Sequence, residues 1–318
     1  MRRFGTRSTP PVAGSQIHTV LSSPAEVNRA YSAAVRFEVV TPEPGVVDAW
    51  SMKRLPFEPS GWLVDFRSHL ATACRSLIAD DDQVLHAIYS SAVHELCDIE
   101  NVLTYNLGTG AIRRAATYGL ILERSFVAER DFRHHYRYEL RPGTLGWNRW
   151  TAASPLGTLH FEAPFATFTR GKAGAWWLSA RRGDLSVYEP NDAVPETYLL
   201  RLTIDPPERW RGSLAGLLKP LTDGVVAAMH THVGPTDVIA ERSAAVDPRL
   251  SSAELAHLLS EDRAVPLGAV RLVIPWGDTV QWNPADNHIV GLDARITRTG
   301  NPGTVVAEAH GAKPARRQ

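Results

Sequence analysis

Between about Leu120 and Asp205 the chain breaks into short runs of β-forming residues: Tyr136 to Leu140, Leu159 to Glu162, Ala175 to Ala180, Leu185 to Tyr188 and Tyr198 to Ile204. The breaks are Pro142-Gly143, Arg182-Gly183-Asp184 and Pro190-Asn191-Asp192, residues that fix or tolerate turn dihedrals. Short strands joined by tight turns predict antiparallel sheet, because parallel neighbours need a crossover of a dozen residues or more.

Helical spacing dominates on either side. An alternating strand at Ala34 to Val40 precedes a helix at Trp62 to Ile78, with Leu63, Phe66, Leu70, Cys74 and Leu77 on one stripe. Asp80-Asp81-Asp82 then supplies an acidic first turn for a predicted helix over Gln83 to Asn101, striped by Leu85, Ile88, Ala92, Leu96 and Ile99. Helix returns at Leu214 to Val233, interrupted at Pro220, and at Ser252 to Ser260. A meander of Ala269 to Ile274, Thr279 to Trp282 and His288 to Ile296 closes the chain. Runs of strands set between runs of helices predict an α+β fold, antiparallel β-sheet flanked by amphipathic helices, and not a doubly wound one.

These switches divide the chain into a flexible basic segment at 1–30, a helix-rich part with a glycine turn at 31–118 and an antiparallel part at 119–206. A helical segment at 207–262, a β-meander on the same body at 263–309 and a basic tail at 310–318 follow.

Charge narrows the functions. The 34 basic and 34 acidic residues cancel, which argues against general nucleic-acid or anionic-membrane binding. Only Lys53, Lys172, Lys219 and Lys313 are lysines, so arginine is the default cation and marks no site by itself. No apolar run approaches the roughly 20 residues that span a bilayer. Cys74 and Cys97, the two cysteines, form no disulfide framework or zinc spacing and point to reduced thiols in a cytoplasmic protein.

The sequence predicts a small-ligand site where Val102 to Leu107, read as a strand, runs through Gly108-Thr109-Gly110 into a helix from Ala111 to about Tyr118. Free amides at a helix start attract anions, and glycines let a ligand approach them. Leu120-Ile121-Leu122 as a second strand, closed by Glu123, imitates the first βαβ unit of a dinucleotide fold, although Arg113 stands at the third glycine position. The expectation is a small anionic or nucleotide-like ligand held by Gly108, Gly110, Arg113, Arg114 and Glu123. No cofactor is named by the sequence.

Three other constellations compete. His94, Glu95 and Asp98 share a predicted helix in an arrangement related to the HExxH helix of zinc hydrolases, with Asp98 in place of the second histidine. A metal-dependent hydrolase is therefore an alternative, but the apolar stripe places His94 and Asp98 at the surface and no metal ligand is assigned. His230 and His232 fall on a predicted helix over Thr222 to Val233, where residues two apart cannot chelate one ion. Arg133, His135, Arg137 and Arg141 share one face of a predicted strand, offering Arg133, Arg137 and Arg141 as a contact surface for a macromolecular partner in a non-catalytic alternative. Walker A, nucleophile-elbow, kinase and EF-hand signatures are absent from the sequence. Substrate, reaction and oligomeric state are not legible at this level.

Overall fold

The computed structural model describes residues 36–91, 97–126, 131–165, 173–246, 251–298 and 300–315. Residues 37–318 form one unit by their contacts, and Met1–Arg36 another; the larger unit is the one described below. Its strands are β1 (Phe37–Val40), β2 (Val46–Ser51), β3 (Gln83–Ser91), β4 (Gly119–Ser125), β5 (His134–Pro142), β6 (Trp150–Glu162) and β7 (Asp184–Val187). They continue with β8 (Tyr198–Asp205), β9 (Thr231–His232), β10 (Ala269–Val270), β11 (Val273–Trp276), β12 (Thr279–Trp282), β13 (Ile289–Ile296) and β14 (Thr304–Pro314). The helices are α1 (Trp62–Cys74), α2 (Ala173–Arg181), α3 (Leu214–Ala228), α4 (Asp237–Val246) and α5 (Ser252–Ser260). None of these helices is long and apolar enough to cross a membrane.

One ten-stranded sheet organises the unit, in the order β1-β2-β5-β3-β4-β13-β8-β14-β6-β7. The α+β class holds, with a correction: the sheet is mixed. β3 lies parallel to β4 and β13 parallel to β8, while the other neighbours are antiparallel. Each parallel pair is joined by a long connection, 92–118 and 206–288, as parallel pairing requires.

Strand pleating sorts the side chains onto two faces of different chemistry. Ala49, Tyr136, Tyr89 and, further along, Leu122, Leu292, Leu200, Ala307 and Leu159 lie on one face in continuous register. This face shares a single core with α1, α2 and α3, including Phe66, Trp176, Trp177 and Leu218. The other face carries Asp48, Arg137, Glu139, His86, Glu123, Asp293 and Arg201 at the alternating positions. Between β5 and β6 the chain must pass over five intervening strands, and it does so on this polar face. Trp147 of the crossing sits against Arg201, its ring centroid 5.2 Å from the guanidinium carbon. A Cβ built on Gly291 would lie 2.9 Å from Trp147 Nε1, so glycine admits the close approach.

Several local expectations change. Residues 83–91 are strand β3 and not a helix; the segment 92–96, with His94 and Glu95, lies outside the described residues. Residues 102–107 are not a strand: Asn101–Tyr105 form a π-helical turn, and Thr109–Ala111 a single 3-10 turn in place of the helix expected after the glycines. Ala175 to Ala180, read as a β-forming run, lies within helix α2 (Ala173–Arg181), packed on α3. Helix α3 runs unbroken through Pro220, with Ser213 as its N-cap: the hydroxyl accepts from the Gly216 amide at 3.2 Å. It ends at Ala228, so Thr231–His232 forms a short strand paired with β10. Strand β14 continues to Pro314, into the segment read as a tail.

Candidate functional site

The ends of parallel strands β3 and β4 and the starts of β8 and β13 meet at one edge of the sheet, because β13 runs antiparallel to β4 and parallel to β8. Asp98 and Glu100 arrive there in the connection after β3, just ahead of the π-helical turn. Asp286 is delivered by a 3-10 turn immediately before β13. Its position is fixed by Ala285, a non-glycine residue held at φ 57°, a conformation that costs about 1–3 kcal/mol. Helix α3 contributes Lys219 and, one turn later, Asp223.

These groups converge on one ammonium. Lys219 Nζ lies 2.5 Å from Asp286 Oδ2, 2.7 Å from Asp223 Oδ1, 2.9 Å from Glu100 Oε1 and 3.4 Å from Asp98 Oδ2. Asn101 Nδ2 donates to Asp98 Oδ2 at 2.5 Å. Ligand oxygens of Asp98, Glu100 and Asp286 lie within 4.8 Å of one another. Glu100 is wholly buried, and its Oε2 receives no donor. The Tyr198 hydroxyl is buried beside the same charges and has no hydrogen-bond partner.

Four carboxyl groups facing one cation cannot all ionise cheaply. Burial pushes Glu100 well above the usual carboxylate range and raises Asp98, with the Asp286 charge adding to the latter. Asp223 is pushed up to about 7, again by burial first. For Asp286 burial acts in the same direction, but the Lys219 charge and hydrogen bonds from its neighbours outweigh it and hold the group low. Lys219 is raised, because the surrounding carboxylates overcome the burial that would lower it. The environment therefore favours the charged form of Asp286 beside Lys219 and the neutral form of the other three carboxyls.

A cleft of about 460 Å³ opens onto the cluster at Asp98. Its walls include Arg54, Cys97, Asn101 and Asn287, with Phe57 and Tyr105 among the lining. Those two rings stack with centroids 5.1 Å apart and an interplanar angle of 8°, and both are solvent-exposed. The cleft thus sets one carboxylate of the cluster, Asp98, beside the cationic Arg54 and the Phe57–Tyr105 pair.

The residues expected from sequence are dispersed. Gly108 and Gly110 line a second cleft, also about 460 Å³, together with Arg67, Ser68 and Arg75 of the α1 region. Gly108 has φ 98°, and a Cβ on Gly110 would meet open space. Arg113 and Arg114 are exposed and are not among that cleft's walls. Glu123 is elsewhere, fully buried on the polar sheet face. Its Oε1 accepts from His86 Nε2 and the Asn148 amide, both at 2.6 Å, and its Oε2 accepts from the Arg149 amide at 2.6 Å. Glu123 therefore anchors the crossing between β5 and β6.

The basic strand face is real but charge-matched. Arg137 pairs with Asp48 at 2.9 Å and with Glu139 at 2.8 Å, and Arg141 Nη1 reaches His86 Nδ1 at 2.8 Å. Arg133 precedes the strand and is exposed. Because β9 is a strand, the stated reason for separating His230 from His232 fails. His230 is instead occupied by the Gly268 carbonyl at 3.0 Å, and the metal-capable group found among the described residues does not include either histidine.

Glu100, Lys219, Asp223 and Asp286 were not singled out by sequence reasoning. Lys219 offered the one available signal: a rare lysine within an otherwise apolar helical run in a chain that defaults to arginine. No protein-family model matches the chain, and no curated protein matches it either.

Proposed function

We propose that this protein is a divalent-cation-dependent hydrolase whose cation is held by Asp98, Glu100 and Asp286. The observation that carries the reading is the convergence of their oxygens within 4.8 Å of one another, with Asp98 on the wall of an open cleft and Glu100 and Asp286 buried behind it. All-oxygen ligands suit a hard cation such as Mg²⁺ or Mn²⁺ rather than zinc. Lys219 Nζ stands within 3.4 Å of all three ligand groups, so a bound dication would take over the role of the ammonium and of the protons that burial favours on Asp98 and Glu100. Asp98 belonged to the hydrolase alternative read from sequence; its companions here are Glu100 and Asp286 in place of His94 and Glu95.

When bound, the cation would acidify a water and polarise the scissile bond. A carboxylate of the cluster would serve as the acceptor for the proton of the attacking water, the leaving group taking the electron pair of the bond that breaks. Asn101 and Asn287 offer neutral contacts to the substrate, and the Phe57–Tyr105 pair an apolar surface. Titration calorimetry with MnCl₂ and MgCl₂ tests the first step. One-site binding abolished in Asp286→Asn and in Asp98→Asn is expected; cation binding that survives both substitutions overturns the reading. A panel of nitrophenyl phosphate, phosphodiester and acetate substrates, each with and without Mn²⁺, tests the second.

A separate reading keeps a small anionic or nucleotide-like ligand at the Gly108–Gly110 turn. The favouring observation is that two arginines, Arg67 and Arg75, line the cleft in which both glycines stand. Nucleotide-dependent thermal stabilisation that is lost in Arg67→Gln is the expected result.

A further inference from the structure

One helical face carries both ends of the open cleft. Residues 99–105 are helical, and Asp98, Asn101, Val102 and Tyr105 recur along them at spacings of three and four, the repeat that places side chains on one face. All four line the cleft. From Asp98 to Tyr105 the helix rises about 10 Å, at about 1.5 Å per residue. At the far end Tyr105 stacks on Phe57, with centroids 5.1 Å apart and planes within 8° of parallel. Phe57 is 53% exposed and Tyr105 44%, so two large rings are held together in water instead of being buried. The pair is fixed from behind. Leu55, fully buried two residues before Phe57, donates its amide to the Tyr136 hydroxyl at 2.8 Å. Its carbonyl accepts from Nδ2 of Asn106, the residue after Tyr105, at 2.9 Å. The segments that bear the two rings are thereby pinned to each other, so the stack is preorganised and a third planar ring can extend it.

We infer that the ligand of this cleft is a nucleoside phosphate, its base laid on the Phe57–Tyr105 pair and its phosphate beside Arg54 and Asp98. The aromatic pair accepts any base, because every base has a π-face. Asn101 and Asn287, also on the cleft walls, are neutral amides that match the mixed donor and acceptor edge of a base. Arg54 lines the same cleft and is exposed, and its guanidinium suits a phosphate. Inorganic phosphate is too short to use both ends, and a plain aryl ring leaves the amides and the arginine without a role. A nucleoside phosphate spans the helical face and brings its phosphorus toward the residue proposed to hold the cation. As a statement of substrate class this rests on the hydrolase reading; as a statement of nucleotide binding it requires no cation.

The experiment titrates AMP, adenosine and ribose 5-phosphate into the full-length protein by calorimetry, in EDTA so that no divalent cation takes part. Wild type should bind AMP most tightly of the three. The double substitution Phe57→Ala with Tyr105→Ala should weaken AMP and adenosine by at least about tenfold, the loss of one base–aromatic stack, and leave ribose 5-phosphate unchanged. Arg54→Gln should weaken AMP and ribose 5-phosphate and leave adenosine unchanged. Tyr105→Phe keeps the ring and should bind AMP as wild type does. All three positions are exposed, so the variants should melt near the wild-type temperature, which checks that they fold. The separate reading at the Gly108 turn assigns the same probe to the other cleft, and Arg67→Gln decides between them. No AMP binding in wild type, equal weakening of AMP and ribose 5-phosphate by the double substitution, or loss confined to Arg67→Gln would overturn the inference. The expected AMP pattern combined with no Mn²⁺ binding would remove the hydrolase reading and leave the nucleotide cleft standing. Mn²⁺ held by Asp98 and Asp286 with no AMP binding would do the reverse.

Discussion

The ammonium of Lys219 sits 2.5 Å from Asp286 Oδ2 and within 3.4 Å of three further carboxylates. Two segments far apart in sequence, a helix and the turn before β13, are thereby tied to the connection that follows β3. Such a cluster is a weak source of stability, because desolvation offsets most of the attraction, but removing one member leaves the rest exposed to mutual repulsion.

Lys219→Met keeps the length of the side chain and deletes its charge. Unfolding by urea should show a loss of about 3 kcal/mol at pH 7, the range for breaking a buried pair, discounted slightly because the Lys219 side chain is 23% exposed. The loss should shrink as pH falls and the remaining carboxyls protonate. Equal destabilisation at pH 5 and pH 8 would show that packing, not charge, is responsible.

The contact between α2 and α3 depends on a missing side chain. A Cβ on Gly224 would stand 2.3 Å from Trp176 Cβ and 2.7 Å from the Trp177 backbone nitrogen. Backbone cannot swing aside, so Gly224→Ala must push the helices apart, at a cost of about 2–3 kcal/mol despite the better helix propensity of alanine. A variant as stable as wild type in urea would show that α2 can shift without penalty.

The same pair of helices shows why the sequence revealed some elements and hid others. Trp176 and Trp177 favour strands by intrinsic preference, whereas in the folded chain they lie on a helix packed closely on Gly224, a tertiary contact that local sequence does not display. Strand β3 was hidden for a different reason. Being central, it is buried on both faces, so Val84 to Tyr89 reads as a nearly continuous apolar run whose spacing also fits a helix. Strands β5 and β12, whose residues alternate, and β8, rich in β-forming residues between turn signals, were legible. Of the candidate site, Asp98 was visible as part of a polar group, while Glu100, Lys219 and Asp286 are assembled only by the topology, across 186 residues from Glu100 to Asp286. No local pattern encodes that meeting.

Buried His230 makes stability sensitive to mild acid. Burial lowers it from the ordinary 6.5 to about 4, despite opposing hydrogen bonds to backbone carbonyls such as Gly268. The folded state therefore binds fewer protons than the unfolded chain between these values. Its contribution is complete above pH 6.5 and is lost as pH falls toward 4, by about 2 kcal/mol between pH 7 and pH 5. His86 acts oppositely: burial is outweighed by Glu123 and Glu139, which raise it, so its contribution is present below 6.5 and lost as pH rises. Comparison with His230→Asn, which retains a donor for the Gly268 carbonyl, isolates the first effect. The variant's stability curve should be flatter by that amount on the acid side; parallel curves for the two proteins would refute the assignment.

Glu123 gives the clearest test of what the polar sheet face is for. Its carboxylate is fully buried and accepts three hydrogen bonds of 2.6 Å, from His86, the Asn148 amide and the Arg149 amide. Two of these come from the crossing that carries the chain from β5 to β6 over the sheet. In Glu123→Gln one oxygen becomes an amide donor, so at least one of the three N–H groups must face another donor in a buried setting. The loss should be about 3 kcal/mol, combining a broken charged contact with an unsatisfied group. It should also be local before it is global. Amide exchange at Asn148 and Arg149 should accelerate, and the environment of Trp147, seated on Gly291 and Arg201, should become more polar under conditions where β8 stays protected. If exchange at 148–149 is unchanged while the whole sheet opens earlier, Glu123 stabilises the strands themselves and the crossing is held by Trp147 and by the Arg295 bonds to the Gly143 and Leu145 carbonyls.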